Sequence, residues 1–386
     1  MLPYWRLSAY YFFYFAFVGA FSPYFSLYLQ DLRFSATEIA IQMSMMQVMR
    51  IAAPALWGWL ADRAGARLPI VRMAALLSLV GFCGFFMTRQ FGGMLLAMAI
   101  MAFFWSAALP LVESVTFSHL GPHAGRYGRI RLWGSVGFIV VVLGLGRMLD
   151  TLPVTAILWV SGALLAGILV CALLIQDVPR TAGVEVGAGL VEILRRREVL
   201  AFFGGCFLMS AAHGVLYVFY SVFLVAQGYD KTTVGVMWTI GVVAEILVFM
   251  VMPRLQRRFS LRGILLFSCA TAVLRFALIG WGAASPLVLV LAQVMHGATF
   301  GAFHGAAIAV VNQWFPGRLQ SRGQAIYGSV SFGAGGMVGG LTSGLVWDSF
   351  GATWAFSLGS SIALVGWIAM AGGWRPGVAS EGGRRA

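Results

Sequence analysis

The sequence predicts an all-α membrane protein, with twelve transmembrane helices in two pseudo-symmetric six-helix bundles. Three observations predict it. Of 386 residues, 60% are hydrophobic and only 10% charged, with a mean hydropathy of +0.87, whereas soluble domains carry about 25% charged residues. Roughly twenty apolar residues span a bilayer, and twelve such segments can be drawn, near 7–30, 38–60, 68–88, 92–118, 129–148, 154–175, 199–226, 232–253, 262–282, 286–314, 322–346 and 352–372. Finally, the halves match each other at an offset near 195 residues. SLYLQDLRFSATEIA (26–40) lies over SVFLVAQGYDKTTVG (221–235), GWLADR (58–63) over PRLQRR (253–258), and WGSVGF (133–138) over YGSVSF (327–332).

Taken in order, the first segment is too long for a cleaved signal: its apolar run extends from Ala9 to Leu29 with no small-residue cleavage site after it. Arginines then set the orientation. Most fall in the loops on the side of the N-terminus, among them Arg63, Arg67, Arg126, Arg195 to Arg197, Arg254, Arg257 and Arg258. Cytoplasmic loops collect Arg and Lys, so both termini are expected in the cytoplasm. The same rule accounts for the net charge of +13 without any nucleic-acid partner. The longest polar gap divides the chain into residues 1–175, a linker over 176–197, residues 198–372 and a tail over 373–386. Within the linker, GLVEILRRRE reads as a short interfacial helix. The four cysteines, Cys83, Cys171, Cys206 and Cys269, have no paired spacing, so neither a disulfide framework nor a metal site is expected.

Charges inside apolar segments carry the functional expectation, because an ionisable group in hydrocarbon is costly unless it is paired or hydrated. Glu113 lies in the fourth segment and Arg131 just inside the fifth, separated by a polar turn on Gly121, Pro122, Gly125 and Gly128. If the fourth helix ends near Ser118, both sit roughly 8 Å from the turn at 1.5 Å per residue, at a common depth. Glu245, apolar on both sides in GVVAEILVF, is the proton-carrier candidate, and Arg275 in the ninth segment its natural partner. Each pair also has a purely structural reading, as a fixed ion pair. Arg50, too deep for easy snorkelling, can offer charge to an anion. His213, His296 and His304 are candidates for a proton relay or for hydrogen-bonded packing. Gln42, Gln47, Gln293 and Asn312 read as helix bridges or substrate contacts. Gly297, Gly301 and Gly305, like Gly336, Gly340 and Gly344, recur at an interval that lets helices approach closely. Internal duplication of this kind points to transporters, with the site at midplane between repeats. No Walker-type loop or metal-ligand cluster is present in the sequence. Ser118 and His119 are adjacent without a placed partner, so an enzyme is not expected.

These features together resemble the major facilitator superfamily over the whole chain. GWLADRAGAR (58–67) resembles that superfamily's signature loop, with Gly58, Asp62, Arg63, Gly65 and Arg67 in place as a gating loop, while the second copy has lost the aspartate and both glycines. GRIRLWGSVGF (128–138) resembles the fifth helix of the branch that holds lactose permease and the phenylpropionate permease. By position, that resemblance implies substrate contacts at Glu113, Arg131, Ser135 and Phe138, and His296 resembles the helix-ten histidine of that branch; Arg50 and His304 join them as substrate-contact candidates on their own placement. AAHGVLYVFYSVFLVAQGY (211–229), VGVMWTIGVVAEILVF (234–249), VLRFALIG (273–280) and QVMHGATFGAFH (293–304) resemble the phenylpropionate side of the branch. Where lactose permease has a glutamate three positions after its helix-ten histidine, this chain has Thr299, so the proton is expected to ride on Glu245, with Arg275 and His213. The implied activity is proton-coupled uptake of a small organic solute, such as an aromatic acid, by alternating access. Sugar or nucleoside symport and drug/proton antiport are alternatives. The expected energy source is the proton gradient, with no cofactor and no metal. The expected setting is the bacterial inner membrane, as a monomer whose partners are substrate, protons and lipid.

Overall fold

A computed structural model describes residues 3–176 and 190–374. Most of the expected linker and tail, including Arg180, Arg375, Arg384 and Arg385, lies outside the described residues. The long helices are α1 (Tyr4–Asp31), α2 (Ala36–Ala64), α3 (Leu68–Met87), α4 (Phe91–Leu120), α5 (Tyr127–Leu149) and α6 (Ala156–Leu174). They continue with α7 (Arg197–Ala226), α8 (Lys231–Arg258), α9 (Leu261–Gly282) and α10 (Pro286–Trp314). The helix α11 is built from Gln320–Tyr327, Gly328–Gly335 and Gly336–Phe350, and α12 is Ala352–Gly373. A short helix, Leu190–Leu194, stands where GLVEILRRRE places one. No strand occurs among the described residues.

Eleven of these helices are long and apolar enough to cross a membrane as single units. The twelfth expected span, α11, differs because its middle, GSVSFGAG, is π-helical. Glycine and serine hold the α conformation weakly, so this stretch can widen its turn. A similar π turn, Gly297–Ala302, interrupts α10, and such bulges recur at functional sites. Helix starts follow capping chemistry. Ser35 and Glu38 form a reciprocal capping box on α2, and the Asp230 carboxylate caps α8 through the Thr233 N–H at 2.7 Å. Ser35 and Asp230 are equivalent at the repeat offset.

Packing falls into two sets of neighbours. In the first half α1 packs on α5 and α6, α4 on α2 and α3, and α3 on α6. In the second, α12 packs on α7, α9 and α11, while α10 packs on α8 and α9. The halves touch through α2 with α11, α5 with α8, and α1 with α7. Arginines brace each half at its N-terminal side. Arg72 donates to the carbonyls of Ala172 and Ile175 at the end of α6, and Arg262 to those of Trp374 and Ala371 at the end of α12.

At the opposite end, which carries the α1–α2 and α7–α8 turns, the halves are locked together. Asp348 of α11 accepts from the N–H groups of Ala36 at 3.0 Å and Thr37 at 2.8 Å, the first turn of α2. Asp150, capping α5, accepts from the N–H groups of Lys231 at 2.8 Å and Thr232 at 3.1 Å, the first turn of α8, and from the Thr232 hydroxyl. Two of the four orphan donors at each helix start are thus satisfied by the other half of the molecule. Gly344 and Gly146 make the approach close enough, since a Cβ on either would collide with the facing helix, at Ala40 and at the Lys231 carbonyl respectively. The Tyr24 hydroxyl, between the Val142 and Lys231 carbonyls, completes the α5–α8 side.

Candidate functional site

The first half contributes two clusters to the region between the bundles. Tyr127, Arg131, Ser135 and Phe138 share one face of α5, spaced by three or four residues. The Tyr127 hydroxyl donates to Glu113 Oε1 at 2.8 Å, and its ring stacks on Phe117, with centroids 4.6 Å apart. Arg131 lies face-on to Phe15, its guanidinium carbon 3.7 Å from the ring centroid. Glu113, Arg131, Ser135 and Phe138 are all half-buried. Glu113 is thus bonded one turn away from Arg131 on the same face of α5, but each has its own neutral partner and no ion pair joins them. The second cluster is Arg50, whose guanidinium stands 5.8 Å from the Trp105 ring and donates a long bond, 3.4 Å, to Gln47 Oε1. Trp105 is held flat against Tyr14, centroids 4.7 Å apart and planes 9° from parallel.

In the second half, Glu245 of α8 is half-buried and its carboxylate lies 3.9 Å from His296 Nε2 on α10. His296, Phe300 and His304 stack in a column, with centroids 5.4 Å and 5.8 Å apart. His304 Nδ1 meets the Tyr327 hydroxyl at 3.0 Å.

The expected Glu245–Arg275 pair does not form. Arg275 is fully buried, and its guanidinium is taken up by neutral acceptors: the Ala292 carbonyl at 2.8 Å, Thr299 Oγ1 at 3.0 Å and Gln293 Oε1 at 3.3 Å. His213 Nε2 lies at 3.5 Å. His213 is buried beside Arg275, with Nδ1 2.8 Å from the Met209 carbonyl. That carbonyl can only accept, so Nδ1 carries the proton and Nε2 is left as an acceptor facing the guanidinium. Arg275 and His213 are consequently sealed from the space between the halves, whereas Glu245 reaches it.

The signature loop is tied to the same region. Gly65 ends α2 in the left-handed conformation at φ 66°. Arg67 donates to the hydroxyls of Ser114 and Ser118, each at 2.9 Å, next to Glu113 on α4. Arg63 lies over Trp59, Gly58 is half-buried, and the Asp62 side chain lies outside the described residues. Gln42 bridges to the Phe91 carbonyl, and Asn312 accepts from Gln320 and Gln324, so both act as helix bridges. The glycine interval works as expected: Gly297 and Gly301 let α10 lie against the backbone of α8 at Ala244 and Glu245. A small cavity of about 50 Å³, reached by Ser44, Gln47, Tyr217 and Gly336, marks the meeting of α2, α7 and α11.

Reading the sequence alone missed Tyr127, Trp105, Asp150 and Asp348. Tyr127 was available, one turn before Arg131 on the same face. The two aspartates lie outside the matched repeat segments.

Comparison with known proteins follows the same lines. The profile of the MFS_1 like family matches residues 4–358. The chain is 28% identical over 327 residues to the probable 3-phenylpropionic acid transporter of Escherichia coli, covering 84% of this chain and 86% of that one. It is 23% identical over 350 residues to the nucleoside permease NupG of Escherichia coli, covering 83% and 81%. The crystal structure of the nucleoside transporter NupG superposes with a TM-score of 0.86 at 19% identity, over 97% of this chain and 100% of that one, a likeness of fold.

Proposed function

As a member of the MFS_1 like family, the chain is a multi-pass membrane transporter, and we propose that it takes up a small aromatic carboxylic acid together with a proton by alternating access. Supporting this is the charge content of the space between the halves. Arg50 and Arg131 are half-buried there, each against an aromatic ring, and Glu113 and Glu245 are the half-buried carboxylates beside them. With both carboxylates ionised, the four charges cancel. A proton on Glu245 leaves one positive charge in excess. A monoanion then restores neutrality, so proton and anion each favour entry of the other. Arg275, sealed and neutrally bonded, takes no part in this exchange. The likeness to a probable 3-phenylpropionic acid transporter supports the substrate class.

With both termini cytoplasmic, the locked end is the periplasmic face. Separation of Asp150 from α8 and Asp348 from α2 is then the step that opens the outer face. The proton gradient is the energy source, the setting is the bacterial inner membrane and the working unit is one chain.

A direct test is uptake into proteoliposomes against a panel of aromatic acids, sugars and nucleosides, under a pH gradient and under a membrane potential. Proton–monoanion symport gives aromatic-acid uptake driven by the pH gradient and indifferent to potential. A second reading, nucleoside or sugar symport, is favoured by Glu113. Its carboxylate takes one tyrosine hydroxyl and keeps lone pairs for solute hydroxyls, and the chain resembles a nucleoside permease. Uptake of nucleoside but not acid selects it. Proton-driven loading of everted vesicles would instead mark a drug antiporter.

A further inference from the structure

Arg131 and Arg50 are not equivalent cations. Arg131 lies flat on Phe15 at 3.7 Å, whereas Arg50 stands beside a second unsatisfied donor, the indole of Trp105. Arg50 has no carboxylate within ion-pairing distance; its one acceptor is an amide oxygen at 3.4 Å, at the limit of a hydrogen bond. Most of its five donors remain to be used. Beside it, Trp105 is 3% exposed and its indole N–H has no acceptor. A buried donor left unmade is costly, and indole N–H groups normally find a partner when buried. The ring cannot turn to find one, because Tyr14 stacks on it at 4.7 Å and Phe17 tilts against it at 5.9 Å.

Two unsatisfied donors of different kinds therefore stand side by side, with the guanidinium 5.8 Å from the indole ring. At that separation they do not satisfy each other. One group with two acceptor oxygens can take both, at the 2.7–2.9 Å typical of charge-assisted bonds.

We infer that Trp105 and Arg50 together form the carboxylate anchor of the transport site, Trp105 selecting a carboxylate over its neutral isosteres by its indole N–H. The assignment rests on the proposed uptake of aromatic acids and adds a residue that charge alone does not identify.

The test is equilibrium binding of radiolabelled 3-phenylpropionate to the purified full-length chain, with unlabelled 3-phenylpropanamide as competitor. The proteins are wild type, Trp105→Phe and Arg50→Gln. Trp105→Phe keeps an aromatic ring for the stack on Tyr14 and removes the N–H together with part of the indole bicycle. The expected result is acid binding in wild type with weak competition by the amide. A rise in Kd of roughly tenfold or more is expected in Trp105→Phe, since bonds to charged groups are among the strong ones, with the acid-to-amide preference narrowed. Arg50→Gln, at a half-buried position, loses acid binding further and supplies the answer if Trp105→Phe fails to fold. Acid affinity unchanged in both variants overturns the anchor and leaves aromatic-acid transport standing. Absence of acid binding in wild type, with nucleoside bound instead, overturns the proposed substrate class and the anchor with it.

Discussion

Asp150 stands on α8 at Thr232 as Asp348 stands on α2 at Thr37. Each carboxylate accepts from two successive backbone N–H groups of a helix in the opposite half, and Thr37 and Thr232 are 195 residues apart, the offset of the internal repeat. The duplication is thus preserved in a contact between the halves as well as within them.

Replacing both aspartates by asparagine removes the charge from two helix N-termini while keeping side-chain acceptors. Each such interaction contributes about 0.3–1 kcal/mol. Together the substitutions should shift the balance toward the outward-open state by roughly three- to thirtyfold. Spin-label distances between the α1–α2 and α7–α8 turns would report this as a larger long-distance population in Asp150→Asn/Asp348→Asn. An unchanged distribution would mean that apolar packing at Gly146 and Gly344 alone holds the face shut.

The lock should not sense physiological pH. Burial works against the charged form, yet the Thr232 hydroxyl and the N–H groups of Lys231 and Thr232 hold the Asp150 carboxyl below its ordinary value of 3.8. A group depressed in this way stabilises the contact above its ordinary pKa, and loses that effect as pH falls through the lowered value. Between pH 5 and 8 the contact is therefore constant. The shape of the uptake–pH profile over that range should be the same in wild type and Asp150→Asn, differing at most in height.

Arg275 is expected to matter for stability more than for substrate affinity. Arg275→Lys keeps the charge but replaces a planar fork by a point donor, leaving at least one of the acceptors on Ala292, Gln293 and Thr299 without its partner. At about 1 kcal/mol or more for each, a fall in melting temperature in detergent should accompany a KM within about twofold of wild type. A large rise in KM with normal melting would place Arg275 at the substrate instead.

Much of this was legible in the sequence, and what was not has a common cause. Depth along a helix can be counted from its ends, so Glu113 and Arg131 were placed at one level and Glu245 was recognised as the lone carboxylate of its segment. The α2 and α8 starts could be paired because both capping residues, Ser35 and Asp230, lie in the matched stretch 26–40 over 221–235. Rotation about the helix axis is another matter. Arg275 is at a suitable depth to meet Glu245, but its side chain runs to α10, and only the packing of α9 against α10 decides that. Trp105 was passed over for the same reason: an indole N–H becomes informative only once Tyr14 is seen to hold the ring and no acceptor is seen to reach it.

Glu245 carries the central claim, and the sharpest measurement is pH-gradient-driven uptake of 3-phenylpropionate in proteoliposomes containing wild type or Glu245→Gln. Cotransport through Glu245 predicts that wild type accumulates the acid above equilibrium. Glu245→Gln should exchange it across the membrane in counterflow but fail to concentrate it. Concentrative, gradient-driven uptake persisting in Glu245→Gln would contradict it.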